Sequence, residues 1–180
     1  NMPFGKGNGI NPGTVIWAWD PAATNENCKN VIDNGDWYFN PVNADQKAIG
    51  KMVSESIKKI SGKSDLKRAW NALFQYHNQQ KNQKNKSYVP GEKIFIKINQ
   101  GTASWVMSKE EKENGYTISS TLKTGQQRRL RSLGATETSQ YIVLELLREL
   151  INDTGVLQED ISVGDPISHI FGHNYSVWHA

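Results

Sequence analysis

Polar side chains end three short apolar runs of this chain. Asp20 follows VIWAW, Asn99 follows IFIKI, and Asp165 follows ISVG. In open α/β sheets, ligands bind outside the carboxyl ends of the strands, where loops and helix N-termini converge. If the three runs are parallel neighbours, these side chains share one rim. The sequence therefore predicts an active site at that rim, with Asp165 or Asp20 as a base or metal ligand.

Lys97 is the strongest single candidate at this rim. It lies two residues before Asn99, and therefore on the same face of an extended strand, in a run that is otherwise apolar. An interior lysine normally has a carboxylate partner or a shifted pKa, because burying an unpaired ammonium is costly. The pattern predicts that Lys97 is an electrostatic stabiliser or proton donor.

An ordinary structural role is the alternative for each of these residues. Lys97 can belong to an edge strand, with a stem that carries its ammonium to solvent. An aspartate before proline is a common strand exit, in which the carboxylate caps nearby amides, and Asn99 can do the same for its own turn. Both interpretations stay open at the level of sequence.

Two histidines near the end of the chain form a separate candidate site. His169 and His173 are four residues apart, a spacing that on a helix can bind a divalent metal, and Asp165 can add an oxygen ligand. Gly172 and Asn174 argue against a firm helix, and the glutamate of the metalloprotease version is absent. A divalent metal is the one cofactor for which the residues provide ligands, and its identity stays open.

Six elements are predicted to position these residues. Strands are predicted over 15–19, 93–99 and 161–164, and helices from an N-cap at Asn43 to Gly62, from Ser64 to His77, and over 139–153. The last two strands and the helix between them form a β-α-β crossover, which makes the strands parallel. We therefore expect one α/β domain over 1–180, with a mainly parallel sheet flanked by helices. Three strands are few for such a sheet, so we also expect this chain to be part of a larger α/β protein that continues beyond Ala180.

The connection at about 100–136 supports a second functional hypothesis. It is irregular, and longer than most connections in compact domains, which is typical of binding segments. Trp105 and Tyr116 provide aromatic groups within it. The alternative to an enzyme is therefore a non-catalytic module that binds a small anionic ligand or a protein partner through this segment.

Composition excludes several classes of partner and cofactor. The net charge is only +3, from 21 basic and 18 acidic residues, so nucleic acid is not an expected partner. A single cysteine, Cys28, cannot hold an iron–sulfur cluster on this chain alone. No apolar run approaches the roughly 20 residues that span a bilayer, and no membrane span is expected. Small-molecule ligands, a further part of the protein or a second copy remain as partners.

Three stretches resemble the domain-of-unknown-function 362 family of bacteria and archaea. They are GEKIFIKIN, ETSQYIVLELLRELINDTGV and ISVGDP, and the opening GINPGTVIWAWDPAATN looks like secreted Bacteroidetes-type members. Carried over residue by residue, the resemblance marks Lys97, Asn99, Gly164 and Asp165. It departs at Ile98, where the family has proline, and in lacking the cysteine clusters of some members. The resemblance implies the N-terminal part of a larger α/β protein and a periplasmic or secreted location.

Overall fold

In the part of the chain that the structure describes, the main elements are three α-helices and a small parallel sheet. The computed structural model describes residues 5, 7–28, 38, 40–81, 86–100, 138–167, 170, 174 and 177–178. The elements in chain order are α1 (Gln46–Ser61), α2 (Leu66–Gln80), β1 (Ile94–Lys97), α3 (Gln140–Arg148) and β2 (Ile161–Gly164). A π-helical turn, Glu149–Asp153, continues α3, and short 3-10 turns occupy Pro21–Ala23, Pro41–Asn43 and Gln158–Asp160. The described architecture is of the α/β kind, with a sheet of only two strands.

Local sequence signals define the ends of α1. The carboxylate of Asp45 accepts the amide of Ala48 at 2.9 Å and caps the N-terminus, so the predicted cap at Asn43 is wrong by two residues. At the other end Gly62 adopts a left-handed conformation with φ of 70°, which favours glycine. Its backbone N–H donates a hydrogen bond to the last turn of the helix. The predicted stop at Gly62 is confirmed.

The two strands pair in parallel, as the predicted crossover requires. Ile94 lies opposite Ile161, and Lys97 lies opposite Gly164. Ile94, Ile96 and Ile98 face the interior side, and Ile98 is almost completely buried, whereas Phe95 and Lys97 are exposed on the other side. The predicted alternation of the second strand is therefore confirmed.

The predicted strand over 15–19 is wrong. This segment belongs to no helix or strand; in the described part of the chain it pairs with no strand and its backbone makes no hydrogen bond. Its next residues turn at once, because the Asp20 carboxylate accepts the amide of Ala22 at 3.0 Å and starts the 3-10 turn Pro21–Ala23. The sheet consequently has two described strands instead of the predicted three.

Two aspartates hold the register of β1 and β2, one at each end of β2. Asp160, immediately before β2, is buried and accepts the Gly91 amide, the Tyr88 hydroxyl and the Lys93 ammonium, each at 2.6 Å. Asp165, immediately after β2, accepts the amide of Gln100 at 2.8 Å. Each carboxylate thus ties β2 to chain that flanks β1.

A buried carboxylate joins the three helices. Glu149 is 2% exposed, and its two oxygens accept the Ser54 hydroxyl of α1 at 2.7 Å and the Trp70 indole N–H of α2 at 2.8 Å. Burial raises the pKa of Glu149 above its ordinary value, against the opposing effect of these two donors. The π-helical turn that starts at Glu149 is the local irregularity at this junction.

Gly50 of α1 lies close to a side chain of α3. α1 packs on both α2 and α3, and a Cβ on Gly50 would lie 2.8 Å from a carboxylate oxygen of Glu145 on α3. Buried Ile49 of α1 and Tyr141 of α3 form a core cluster with Ala23. The same helix pair therefore carries both this close contact and one cluster of the apolar core.

We predict that Asp160→Asn lowers the melting temperature at neutral pH by roughly 5–10 °C, because the charged acceptor of three donors is lost. The Lys93 ammonium, with the Tyr88 hydroxyl and the Gly91 amide, holds the pKa of Asp160 at about 2, below its ordinary 3.8. A lowered pKa stabilises the fold above the unfolded value, and that contribution is lost as the pH falls from about 4 to about 2.

Thermal unfolding between pH 2 and 7 measures this difference, with Glu159→Gln as the control because Glu159 is the exposed neighbour of Asp160. The gap between wild type and Asp160→Asn should close at low pH, while Glu159→Gln follows the wild type. A gap that is independent of pH would contradict the assignment.

Glu149→Leu should destabilise the protein by about 1–3 kcal/mol, because it leaves the Trp70 and Ser54 donors without acceptors. Glu149→Gln should have a smaller effect, since its amide can still serve both groups.

A raised carboxyl pKa makes the fold less stable as the pH rises above about 4.5. Urea unfolding at pH 4, 5.5 and 7 should show this decline in the wild type and not in Glu149→Gln. Asp153→Asn, an exposed change in the same turn, should retain the decline; its loss there would refute our assignment.

Candidate functional site

The carboxyl edge of β1 and β2 is a network of polar groups. As β1 ends, the Ile98 amide donates to the Gly164 carbonyl at 3.0 Å, and two residues later the Gln100 amide reaches the Asp165 carboxylate. The other Asp165 oxygen accepts the amide of Ile167 at 3.1 Å. Both oxygens of this carboxylate therefore organise the backbone as it leaves the two strands.

The start of α3 is tied to the exit of β1. The Thr138 amide donates to the Asn99 carbonyl, and the Asn99 amide donates to the Thr138 hydroxyl, both at 2.9 Å. We call this pair of bonds the Asn99–Thr138 clamp. It holds together residues 99 and 138, which flank the connection 101–137; that connection lies outside the described residues. It also places the N-terminus of α3 at the carboxyl edge of the sheet.

A buried amide pair lies beneath this edge. Gln100 and Asn174 both have no exposed surface, and the Asn174 amide group donates to the Gln100 side-chain oxygen at 2.7 Å. The contact joins the exit of β1 to the end of the chain, 74 residues later. Sequence reasoning assigned no role to Gln100, Thr138 or Asn174, and only the position of Gln100 directly after the strand was a signal for it.

The groups around Asp165 favour its ionised form and make it a poor proton acceptor. The amides of Gln100 and Ile167, and then the charge of Lys97, hold the pKa of Asp165 below its ordinary value. A carboxylate with a lowered pKa, whose two oxygens already accept amides, is a weak base. The charge of Lys97 contributes less to this lowering than the two amides do.

The predicted site residues differ in where they lie. Lys97 is exposed at the end of β1, as in the alternative of a solvated lysine, and Asn99 is exposed beside it. The carbonyl of Gly164 pairs with β1, and the ring of Phe95 lies 3.5 Å from where a Cβ on Gly164 would be. These three and Asp165 belong to one edge. Asp20 caps a 3-10 turn, and the third parallel strand that would have brought it to this edge is absent from the described structure.

Metal binding by the histidine pair stays a prediction. His169 and His173 lie outside the described residues. Among the residues that the structure does describe, no group of three or more histidine, cysteine, aspartate or glutamate side chains could hold a metal ion. The described helices also include none that is long and apolar enough to cross a membrane.

A cavity of about 710 Å³ lies on the interior side of the sheet, away from the polar edge. Leu144, Leu147 and Ile151 of the helical side face Ile161 and Val163 of β2 across it. Arg148 lines the cavity as well, and its guanidinium pairs with the Glu145 carboxylate at 2.8 Å. Among the described residues that line it, none is a nucleophile or a carboxylate; its polar side chains are those of Arg148, Asn152 and Gln158.

The comparisons with known proteins identify no relative. No family model matches the chain, and neither the curated proteins nor the solved structures contain a match. The resemblance to the domain-of-unknown-function 362 family therefore stays a prediction, and the geometry of the edge must carry any functional argument.

We predict that Thr138→Val opens the Asn99–Thr138 clamp, since valine has the same shape without the hydroxyl acceptor. The loss should be about 0.5–1.5 kcal/mol of unfolding free energy. Amide hydrogen exchange at Asn99 should accelerate more than exchange in α2, where no contact changes. Thr138→Ser retains the acceptor and should protect the amide as the wild type does. Equal exchange at Asn99 in all three proteins would rule out the clamp.

Proposed function

We propose that this chain is an α/β protein that binds a small anionic ligand at the carboxyl edge of β1 and β2. The observation that carries the proposal is the Asn99–Thr138 clamp, which brings the N-terminus of α3 beside the strand that carries Lys97. Backbone amides at a helix N-terminus and a nearby ammonium both favour negative charge. Ser139, the N-cap of α3, makes no side-chain capping bond.

Lys97 is the residue that we propose contacts the ligand, with Asn99 beside it. Its ammonium is exposed and can therefore meet the negative charge of a ligand directly. Asp165 organises the same edge, because its two oxygens accept the amides of Gln100 and Ile167. Gly164 lies opposite Lys97 and contributes no side chain of its own, and the Phe95 ring lies against it.

An enzyme at this edge is the second candidate. The convergence of Lys97 and Asp165 favours it, with Lys97 as electrostatic stabiliser. Acid–base chemistry by Asp165 is less well supported, because its lowered pKa makes it a weak proton acceptor. A catalytic role for Asp20 lost its support with the third strand. A divalent metal at His169 and His173 remains a hypothesis of its own.

We further propose that the two strands belong to a larger, mainly parallel sheet. Parallel sheets are normally covered on both faces, yet Phe95, Lys97 and Ser162 are exposed on one face of this one. A further part of the protein or a second copy can supply the cover. Membership of the domain-of-unknown-function 362 family and a periplasmic or secreted location are proposals that rest on the resemblance alone.

Lys97→Met tests the binding proposal by thermal shift. A ligand at 100 times its Kd stabilises the folded state by about 2.7 kcal/mol, or roughly 5–10 °C for a chain of this size. Phosphate or citrate should raise the melting temperature of the wild type by this order and should not raise that of Lys97→Met. Lys51→Met, which removes an exposed lysine on α1, is the matched control and should respond as the wild type does.

Two outcomes would contradict the proposal. In the first, the wild type shows no shift with either anion beyond that of chloride at the same ionic strength. In the second, Lys97→Met responds as strongly as the wild type. A shift with Zn²⁺ or Mg²⁺ that survives in Lys97→Met would favour a metal site over the anion site.

A further inference from the structure

The cavity on the interior side of the sheet is polar at its mouth and apolar inside. Among the described residues of its lining, the polar ones, Arg148, Asn152 and Gln158, are all exposed, whereas the apolar ones are all partly buried. Its volume of about 710 Å³ lies within the roughly 300–1,000 Å³ of small-molecule sites, which are mostly apolar with a few orienting polar groups. This division of the walls matches an amphipathic molecule whose head stays at the mouth.

Three parts of the chain enclose the cavity. Leu147 belongs to α3, Val163 to β2, and Trp178 to the segment after β2. The Trp178 indole N–H donates to the Gln140 carbonyl at 3.0 Å, which holds this ring against the start of α3. A flat protein surface would cover the mouth and leave the volume unfilled, whereas a small molecule can enter and fill it. Because unfilled apolar volume forfeits van der Waals contacts, the concave shape favours a small ligand.

Arg148 determines the charge of the expected head group. It is the one charged residue in the described lining of the cavity, and a guanidinium can hold a carboxylate through two parallel hydrogen bonds. One nitrogen of this guanidinium pairs with Glu145, three positions earlier on α3. That pair contributes little to stability, since the Arg148 side chain is half exposed, and the same Glu145 oxygen also accepts the Gln46 side-chain amide. The guanidinium therefore has further donors to offer a ligand.

The length of the apolar wall sets the size of the tail. From Leu144 to Ile151 the helical side of the cavity extends for about 10 Å. The π-helical turn Glu149–Asp153 contributes the end of this wall, and turns of this kind are frequent at functional sites. A medium-chain aliphatic tail can lie along such a wall while its head stays beside Arg148.

We propose that this cavity binds a medium-chain aliphatic carboxylic acid, with the carboxylate on Arg148 and the tail between α3 and β2. The site is separate from the anion site at the carboxyl edge, where charge alone is recognised. Here the tail contributes as well, so each further methylene that enters the cavity should strengthen binding about fourfold.

Isothermal titration calorimetry with butanoate, hexanoate and octanoate tests the proposal. The wild type should bind octanoate roughly fifteenfold more tightly than hexanoate, which is shorter by two methylenes. Arg148→Met should weaken octanoate binding at least about tenfold, because a hydrogen bond to a charged group is lost, and should bind octanol as the wild type does. Arg68→Met, which removes an exposed arginine on α2, is the matched control and should retain octanoate binding, as should Lys97→Met.

Three outcomes would overturn the proposal. The first is a wild type that does not bind octanoate, or that binds all three acids equally. The second is loss of octanoate binding in Lys97→Met with retention in Arg148→Met, which would assign the acid to the carboxyl edge. The third is a wild-type dimer, in sedimentation velocity, that Leu147→Ser dissociates and octanoate does not. A second copy of the chain would then fill the cavity.

Fluorescence quenching by ω-bromo-octanoate locates the tail. Bromine quenches the tryptophans that it contacts, and Trp178 lines the cavity. Quenching should saturate with the affinity that calorimetry gives, and Trp178→Phe should lose most of it. Trp17→Phe, which changes a highly exposed tryptophan outside the lining, should retain it. Equal saturable quenching in the two variants would place the tail elsewhere and refute the assignment.

Discussion

The register of the parallel pair β1 and β2 is the constraint on which the rest of the described structure depends. Each strand has only four residues, so few ladder hydrogen bonds define the pairing. Asp160 and Asp165 add to them from either end of β2, through the amides of Gly91 and Gln100. A slip by one residue would break both contacts and turn the isoleucines of β1 away from the interior. The two carboxylates thereby supply contacts that a longer ladder of hydrogen bonds supplies in a larger sheet.

The position of α3 follows from this pairing. A parallel connection must return from the carboxyl edge to the amino edge, and α3 makes that return. It begins at the Asn99–Thr138 clamp and ends in the π-helical turn that presents Glu149 to Ser54 and Trp70. Burying the Glu149 carboxylate costs desolvation energy, which its two hydrogen bonds offset only in part. Glu149 thereby specifies how the three helices meet.

At the polar edge, Asp165 has a structural role, and the ligand contact that we propose falls to Lys97. Asp165 uses both oxygens for backbone amides, which lowers its pKa and reduces its value as a base. Lys97 carries the complementary charge on an exposed stem. A site of this kind can recognise negative charge without moving a proton. The described lining of the cavity on the interior side of the sheet contains no carboxylate or nucleophile.

Local patterns in the sequence determined the elements whose signals are short-range. The three helices, the stop at Gly62, the alternation through Ile96, Lys97 and Ile98, and the parallel crossover to Ile161 all follow from periodicity, capping and chain connectivity. Lys97, Asn99 and Asp165 could be assigned to one edge because strand polarity alone sets their end of the sheet. Only the tertiary structure decided the rest. Whether an apolar run such as VIWAW pairs depends on a neighbouring strand. In the described structure this run has none, so it is unpaired, and Asp20 caps a turn. The roles of Glu149, Asp160, Gln100 and Asn174 depend on partners up to 95 residues away, to which no local pattern points.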